Sequence, residues 1–165
     1  MAIKAIVYTS NTGYTAEYAK RLHDNTDLPV YRLDDANRKL KPGTEIIYLG
    51  WLMAGNVMGY KDAAKLYNIK AVCGVGLATS GSLDDAVRKT NNIPHETAVF
   101  TLQGGFDMKK LKGGYKVGMM IMSKILKKKL SADTEENRRI VNMLDNGGSC
   151  VSVENLKDVI SFVKG

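Results

Sequence analysis

The chain has 165 residues, 44% hydrophobic and 25% charged, which suits one domain with a full core and excludes a disordered or fibrous chain. Two cysteines exclude a disulfide framework, and a formal net charge of +7 favours acidic partners without naming one. No apolar run approaches the roughly 20 residues that span a bilayer. Met1 to Tyr8 is too short and too strand-like for a signal peptide, so the expected compartment is the reducing cytoplasm.

In chain order, Ile3 to Tyr8 is short, apolar and β-branched and reads as a buried strand. A small polar loop, Thr9 to Thr15, leads into a helix over about 13–23 with Thr15, Tyr18, Ala19 and Leu22 inward. Leu28 to Leu33 is a second short strand, weakened or placed at an edge by Pro29. Asp34 to Lys41 is polar, and Pro42-Gly43 marks a turn. Glu45 to Leu49 is a third buried strand, running into a glycine-rich loop from Gly50 to Gly59. Asp62 to Tyr67 is a helix, Lys70 to Ala78 a fourth strand, Asp84 to Lys89 a short helix and Ala98 to Leu102 a fifth strand. The last third is helical: Tyr115 to Leu130, Asp133 to Leu144 and Val153 to Val163, the last with Ser152 as its expected cap.

Five apolar strands separated by helical segments predict βαβ units and a mostly parallel sheet. Continuous apolar runs, without alternation, imply that both faces of the sheet are covered. Ligands of such sheets bind beyond the carboxyl ends of the strands. The loops 9–15, 50–59 and 79–82 and the turn 103–105 lie there.

The first of these loops has the chemistry of an anion site. Unpaired backbone N–H groups at a helix N-terminus attract negative charge. Ser10, Thr12 and Thr15 add hydroxyls, and no Lys or Arg occurs from Thr9 to Thr15, so a phosphate there would meet mainly neutral donors. A plain strand–helix turn capped by Ser and Thr has the same spacing. The three-glycine dinucleotide fingerprint and the Gly-Lys-Ser/Thr nucleotide loop are both absent.

Ser10-Asn11-Thr12-Gly13-Tyr14-Thr15, directly after the first strand, resembles the FMN-phosphate loop of the flavodoxin family, Ser/Thr-x-Thr-Gly-x-Thr. The resemblance in element order extends over the whole chain. It implies a three-layer α/β/α sandwich around a five-stranded parallel sheet, non-covalent FMN and electron transfer. Trp51-Leu52-Met53-Ala54-Gly55-Asn56 occupies the family's loop after the third strand, where an aromatic residue flanks the isoalloxazine ring; Trp51 could equally pack on the core. Thr79-Ser80-Gly81-Ser82 matches the second flavin loop in position but lacks its Tyr. Gln103-Gly104-Gly105-Phe106-Asp107 and the helix after it are similar to the subgroup of flavodoxin-type protoporphyrinogen oxidases. Two functions follow from the resemblance: an electron carrier with a redox protein partner, or an FMN-dependent oxidoreductase on a small planar or acidic molecule. A third outcome is a domain that has lost FMN.

Charge departs from the family pattern, since its electron carriers are usually acidic. Lys109, Lys110, Lys112, Lys116, Lys124, Lys127, Lys128 and Lys129 fall in one stretch with no acidic residue between Asp107 and Asp133. Lys109, Lys110, Lys112 and Lys116 are expected to border the flavin edge and steer an acidic partner or substrate. The helix that follows is amphipathic and rich in methionine, with two expectations: its stripe packs on the sheet with lysines in water, or it meets a membrane or acidic partner. Tyr115 is the stretch's single aromatic residue, which speaks against nucleic acid. His23, His95, Cys73 and Cys150 lack the spacing of a metal site, and there is no nucleophile elbow. The chemistry is therefore expected from a bound cofactor.

Overall fold

The structure is a computed structural model and describes residues 2–130 and 133–165. Five parallel strands form the central sheet: β1 (Ala5–Thr9), β2 (Val30–Arg32), β3 (Glu45–Met53), β5 (Asn68–Gly76) and β6 (Ala98–Gln103). Their order is β2-β1-β3-β5-β6, the flavodoxin-like winding in which the chain reverses direction between β1 and β3. The edge place of β2 suits Pro29, whose missing N–H would leave a gap in a central strand.

Successive side chains of each strand point to opposite faces. Ile6, Ile47 and Cys73 face α1 (Tyr14–Thr26) and α7 (Lys157–Lys164), packing against Tyr18, Leu22 and Val159. Val7, Tyr48 and Val72 face the other way, onto Ala36 of α2 (Leu33–Ala36), Tyr60 and Ala63 of α3 (Tyr60–Leu66) and Val87 of α4 (Asp84–Asn91). Two covered faces explain why the strands read as unbroken apolar runs, and the result is the expected three-layer sandwich. Thr15, Tyr18, Ala19 and Leu22 are the inner face of α1, as their spacing predicts.

Most element ends lie within two or three residues of the sequence reading; the strand expected to Ala78 ends at Gly76, and larger differences fall in three places. The third strand does not end at Leu49. It continues to Met53 and turns back antiparallel through β4 (Asn56–Val57), so Trp51, Leu52 and Met53 are strand residues. The two-residue turn Ala54-Gly55 has positive φ at both positions, 49° and 80°, as a tight hairpin turn requires. Asn56 Nδ2 donates back to the carbonyls of Met53 and Ala54. The chain's last helix opens with a 3-10 turn, Glu154–Leu156, so Ser152 is not its cap. Asn155 serves instead as a tie, its Nδ2 donating to the Cys150 carbonyl at 2.9 Å and the Tyr18 hydroxyl at 2.8 Å. Tyr18 in turn donates to the Gln103 carbonyl, which pins α1 to the end of β6.

The largest difference lies between β6 and the terminal helix. Here α5 (Tyr115–Lys129) and α6 (Glu135–Asn146) do not pack on the sheet. They build a third cluster with Phe106 and Leu111 that caps the carboxyl ends of the strands. A short ribbon of β7 (Gly105–Phe106) and β8 (Gly148–Ser149) closes the base of this cap.

Candidate functional site

Between the strand ends and the cap lies an apolar cavity of about 330 Å³. Tyr14 and Thr15 bound it from α1, Trp51 and Leu52 from β3, and Met119, Met122 and Leu126 from α5. Its volume is at the lower end of small-molecule sites, about 300–1,000 Å³. Next to it is a second, polar cavity of about 460 Å³, lined by Ser10, Asn11, Thr12 and Gly13 together with Arg32, Lys109, Lys110 and Lys112. Thr12 and Leu111 line both cavities, so they adjoin.

The first loop is shaped by local bonds. Ser10 Oγ accepts from the Gly13 N–H at 3.2 Å. Gly13 stands before α1 at φ 99°, a conformation that a side chain would strain. Asn11 Oδ1 accepts from the Lys112 N–H at 3.1 Å, which docks the 108–112 segment onto the loop. Lys110 Nζ sits 5.1 Å from the centre of the Tyr14 ring, within cation–π range. Tyr14 itself is buried and packs against Gly105, where an added Cβ would come 2.6 Å from the ring. The lysines near the loop are thus 109, 110 and 112; Lys116 lines neither cavity. A phosphate in this place would meet cations as well as the neutral donors expected from the loop alone.

The second loop reaches the apolar cavity through Trp51, Leu52, Ala54 and Gly55. Met53 lies against Gly118 of α5, where an added Cβ would be 3.3 Å from the methionine methyl. Asn91 fixes the hairpin from α4. Its Oδ1 accepts from the Val57 N–H at 2.9 Å, and its Nδ2 donates to the Gly55 carbonyl at 2.9 Å and the Val87 carbonyl at 2.8 Å. Underneath, the Tyr48 hydroxyl bridges the Met58 carbonyl and Thr9 Oγ1, and burial raises its pKa well above the usual tyrosine value.

The third loop is brought near but turned away. Thr79 donates from its N–H and its hydroxyl to Glu136 of α6, each at 3.0 Å. Ser80 Oγ accepts from the Gln103 N–H, Ser82 Oγ donates to the Thr79 carbonyl, and the Gly81 N–H reaches Thr101. None of these four residues lines the apolar cavity; their neighbours Leu77, Ala78 and Leu83 do. The two Thr79 bonds hold the Glu136 carboxyl below the usual glutamate range.

Sequence reasoning missed Tyr115, Met119, Met122, Phe106 and Asn91. Tyr115 meets Trp51 edge-to-face at 5.1 Å and 89° and so holds the Trp51 ring, though it lines neither cavity itself. The methionine pattern of α5 was the available signal, but its inward half could not be told from a sheet-packing stripe. Among the described residues, no group of His, Cys, Asp and Glu is arranged to hold a metal ion. No protein-family model matches the chain, and no curated protein matches its sequence.

Proposed function

We propose that the chain is an FMN-binding protein of the flavodoxin type that transfers electrons. The observation that carries this reading is the pair of adjoining cavities. One is apolar and flanked by Trp51, the other polar and cationic, and they meet at Thr12 beside the helix N-terminus at the sheet's reversal point. A ligand that is planar and apolar at one end and a phosphate dianion at the other suits this arrangement. FMN has that form, and the missing pyrophosphate fingerprint disfavours FAD and nicotinamide dinucleotides. Bound FMN supplies one- or two-electron transfer; the chain's part is binding, orientation and electrostatics. Ser10, Thr12 and the backbone before α1, with Lys109, Lys110 and Lys112, would receive the phosphate. Trp51 and the methionines of α5 would exclude water from the ring.

The cavity's volume, at the lower end of small-molecule sites, favours a carrier over a site that holds a substrate beside the ring. The alternative is an oxidoreductase on a small planar or acidic substrate, like the flavodoxin-type protoporphyrinogen oxidases. The roof that α5 places over the apolar cavity is the feature in its favour, because a roofed ring face suits a substrate held beside it. Titration of the apoprotein with FMN, FAD and NADH tests the proposal through the fluorescence of the single tryptophan, Trp51. FMN is expected to bind tightest and to quench the emission strongly. Tighter binding of FAD would overturn the choice of cofactor, and no binding of FMN would overturn the reading.

A further inference from the structure

The two faces of α5 are both apolar. Met119, Met122 and Leu126 point into the cavity. Val117, Met120, Ile121 and Ile125 point outward and are 62%, 45%, 56% and 44% exposed. Of the eight large hydrophobic side chains exposed among the described residues, these four and Tyr115 lie on this one helix. At 100° per residue, Val117, Ile121 and Ile125 form one outer stripe, and Lys124 and Lys128 continue it toward the C-terminus.

The charge of the protein is concentrated in the same place. Residues 108–132 hold eight lysines and no acidic residue, while the rest of the chain holds sixteen basic and seventeen acidic side chains. The body is therefore close to neutral, and the net +7 belongs to the segment that contains α5. Lys127 is held by Asp145 at 2.6 Å; Lys116, Lys124, Lys128 and Lys129 are exposed around the outer stripe.

We propose that the outer face of α5 docks on an anionic lipid surface. Helices that lie in a bilayer interface combine an apolar stripe with flanking lysines whose stems bury and whose ammonium groups reach the headgroups. Clusters of four to eight basic residues on an amphipathic helix are the pattern drawn to anionic lipid. The composition favours lipid over a folded protein. Every cation in the segment is lysine, and protein interfaces favour arginine and aromatic anchors and deplete lysine. The outer stripe has no Trp, Phe or Arg; it is aliphatic at Val117, Ile121 and Ile125 and passes into lysine at Lys124 and Lys128. Because the other face of α5 roofs the cavity, docking would set the roof of the candidate site against the membrane.

The test is sedimentation of the full-length protein with vesicles of pure phosphatidylcholine and of phosphatidylcholine mixed with phosphatidylglycerol. The wild type is expected to bind the anionic vesicles only, and to be released as salt rises. Lys124→Gln/Lys128→Gln/Lys129→Gln should lower the partition on the order of a hundredfold. Val117→Gln/Ile121→Gln/Ile125→Gln, with helicity checked by circular dichroism, should lower it about tenfold or more. The proposal is overturned by no binding of the wild type, by equal binding to neutral and anionic vesicles, or by lysine or apolar variants that bind like wild type. A dimer in sedimentation velocity that the apolar variant dissolves would assign this face to a second copy, and so overturn it as well.

Discussion

Gly105 offers a direct test of how the cap is seated on the first loop. A Cβ built on it would lie 2.5 Å from the Gly148 carbonyl oxygen and 2.6–2.7 Å from two atoms of the Tyr14 ring. Backbone oxygen cannot swing aside as a flexible side chain does, and Tyr14 is held between the cavity and Lys110. Gly105→Ala must therefore part β7 from β8 or shift Tyr14. Overpacking of this kind costs about 1–3 kcal/mol. For a domain of this size, each kcal/mol moves Tm by roughly 2–4 °C, so a fall of about 2–12 °C is expected. Gly114→Ala is the matched control: its Cβ would meet nothing within 4 Å, and its φ is −63°. That change should be neutral or stabilise by up to about 1 kcal/mol. Differential scanning calorimetry of the three proteins reads the comparison. FMN affinity should also fall in Gly105→Ala, because Tyr14 borders the proposed ring site. A Tm for Gly105→Ala within about 1 °C of wild type would refute the close approach of β7, β8 and Tyr14.

Thr12→Val should weaken FMN binding by about 1–3 kcal/mol and riboflavin much less, as titration of both ligands will show. Lys109→Gln/Lys110→Gln/Lys112→Gln should flatten the salt dependence of FMN binding; an unchanged slope would remove these lysines from the phosphate. Asn91→Ala leaves the Val57 N–H and the Gly55 carbonyl without their partner and should cost about 1–3 kcal/mol in chemical denaturation. Stability lent by the Glu136–Thr79 bonds is present above the ordinary glutamate range and lost as pH falls through the lowered pKa. The protection of the Thr79 amide against exchange, taken relative to its intrinsic rate at each pH, should accordingly fall in acid, and in Glu136→Ala it should be low at every pH. Cys73 is fully buried and its thiol pKa is raised by desolvation, so a thiol reagent should label Cys150 alone in the native protein.

The sandwich was legible because each strand carries a continuous apolar run and each crossover a helical segment. Local signals sufficed for that, and the Ser10 to Thr15 loop was legible for the same reason: it is contiguous. The β3–β4 hairpin was not. Glycine at 50, 55 and 59 reads as a loop, yet Gly50 is a strand residue whose added Cβ would meet the Met58 oxygen at 2.5 Å. It is glycine because a backbone passes close by, a long-range cause with no local signature. Ala54 at positive φ gave no turn signal either, since alanine seldom adopts it. The lysines near the phosphate-type loop were visible as charges, but their docking rests on Asn11 accepting from Lys112, a bond across 101 residues.

The departure in charge now has a location, and location changes what it means. Without residues 108–132 the chain carries a net −1, so the sandwich itself is not a basic protein. A basic sheet edge would have argued against the flavodoxin reading of the loops; a basic cap does not bear on it. The cap bears instead on what approaches the ligand. Its first lysines, 109, 110 and 112, turn toward the polar cavity, while α5 carries Lys124 and Lys128 outward beside an exposed aliphatic stripe. One segment thus contributes to ligand binding at its start and presents an interaction surface further on. FMN affinity should respond to the first group and vesicle binding to the second. Lys124, Lys128 and Lys129 line neither cavity, so their substitution should leave FMN affinity as it is in the wild type.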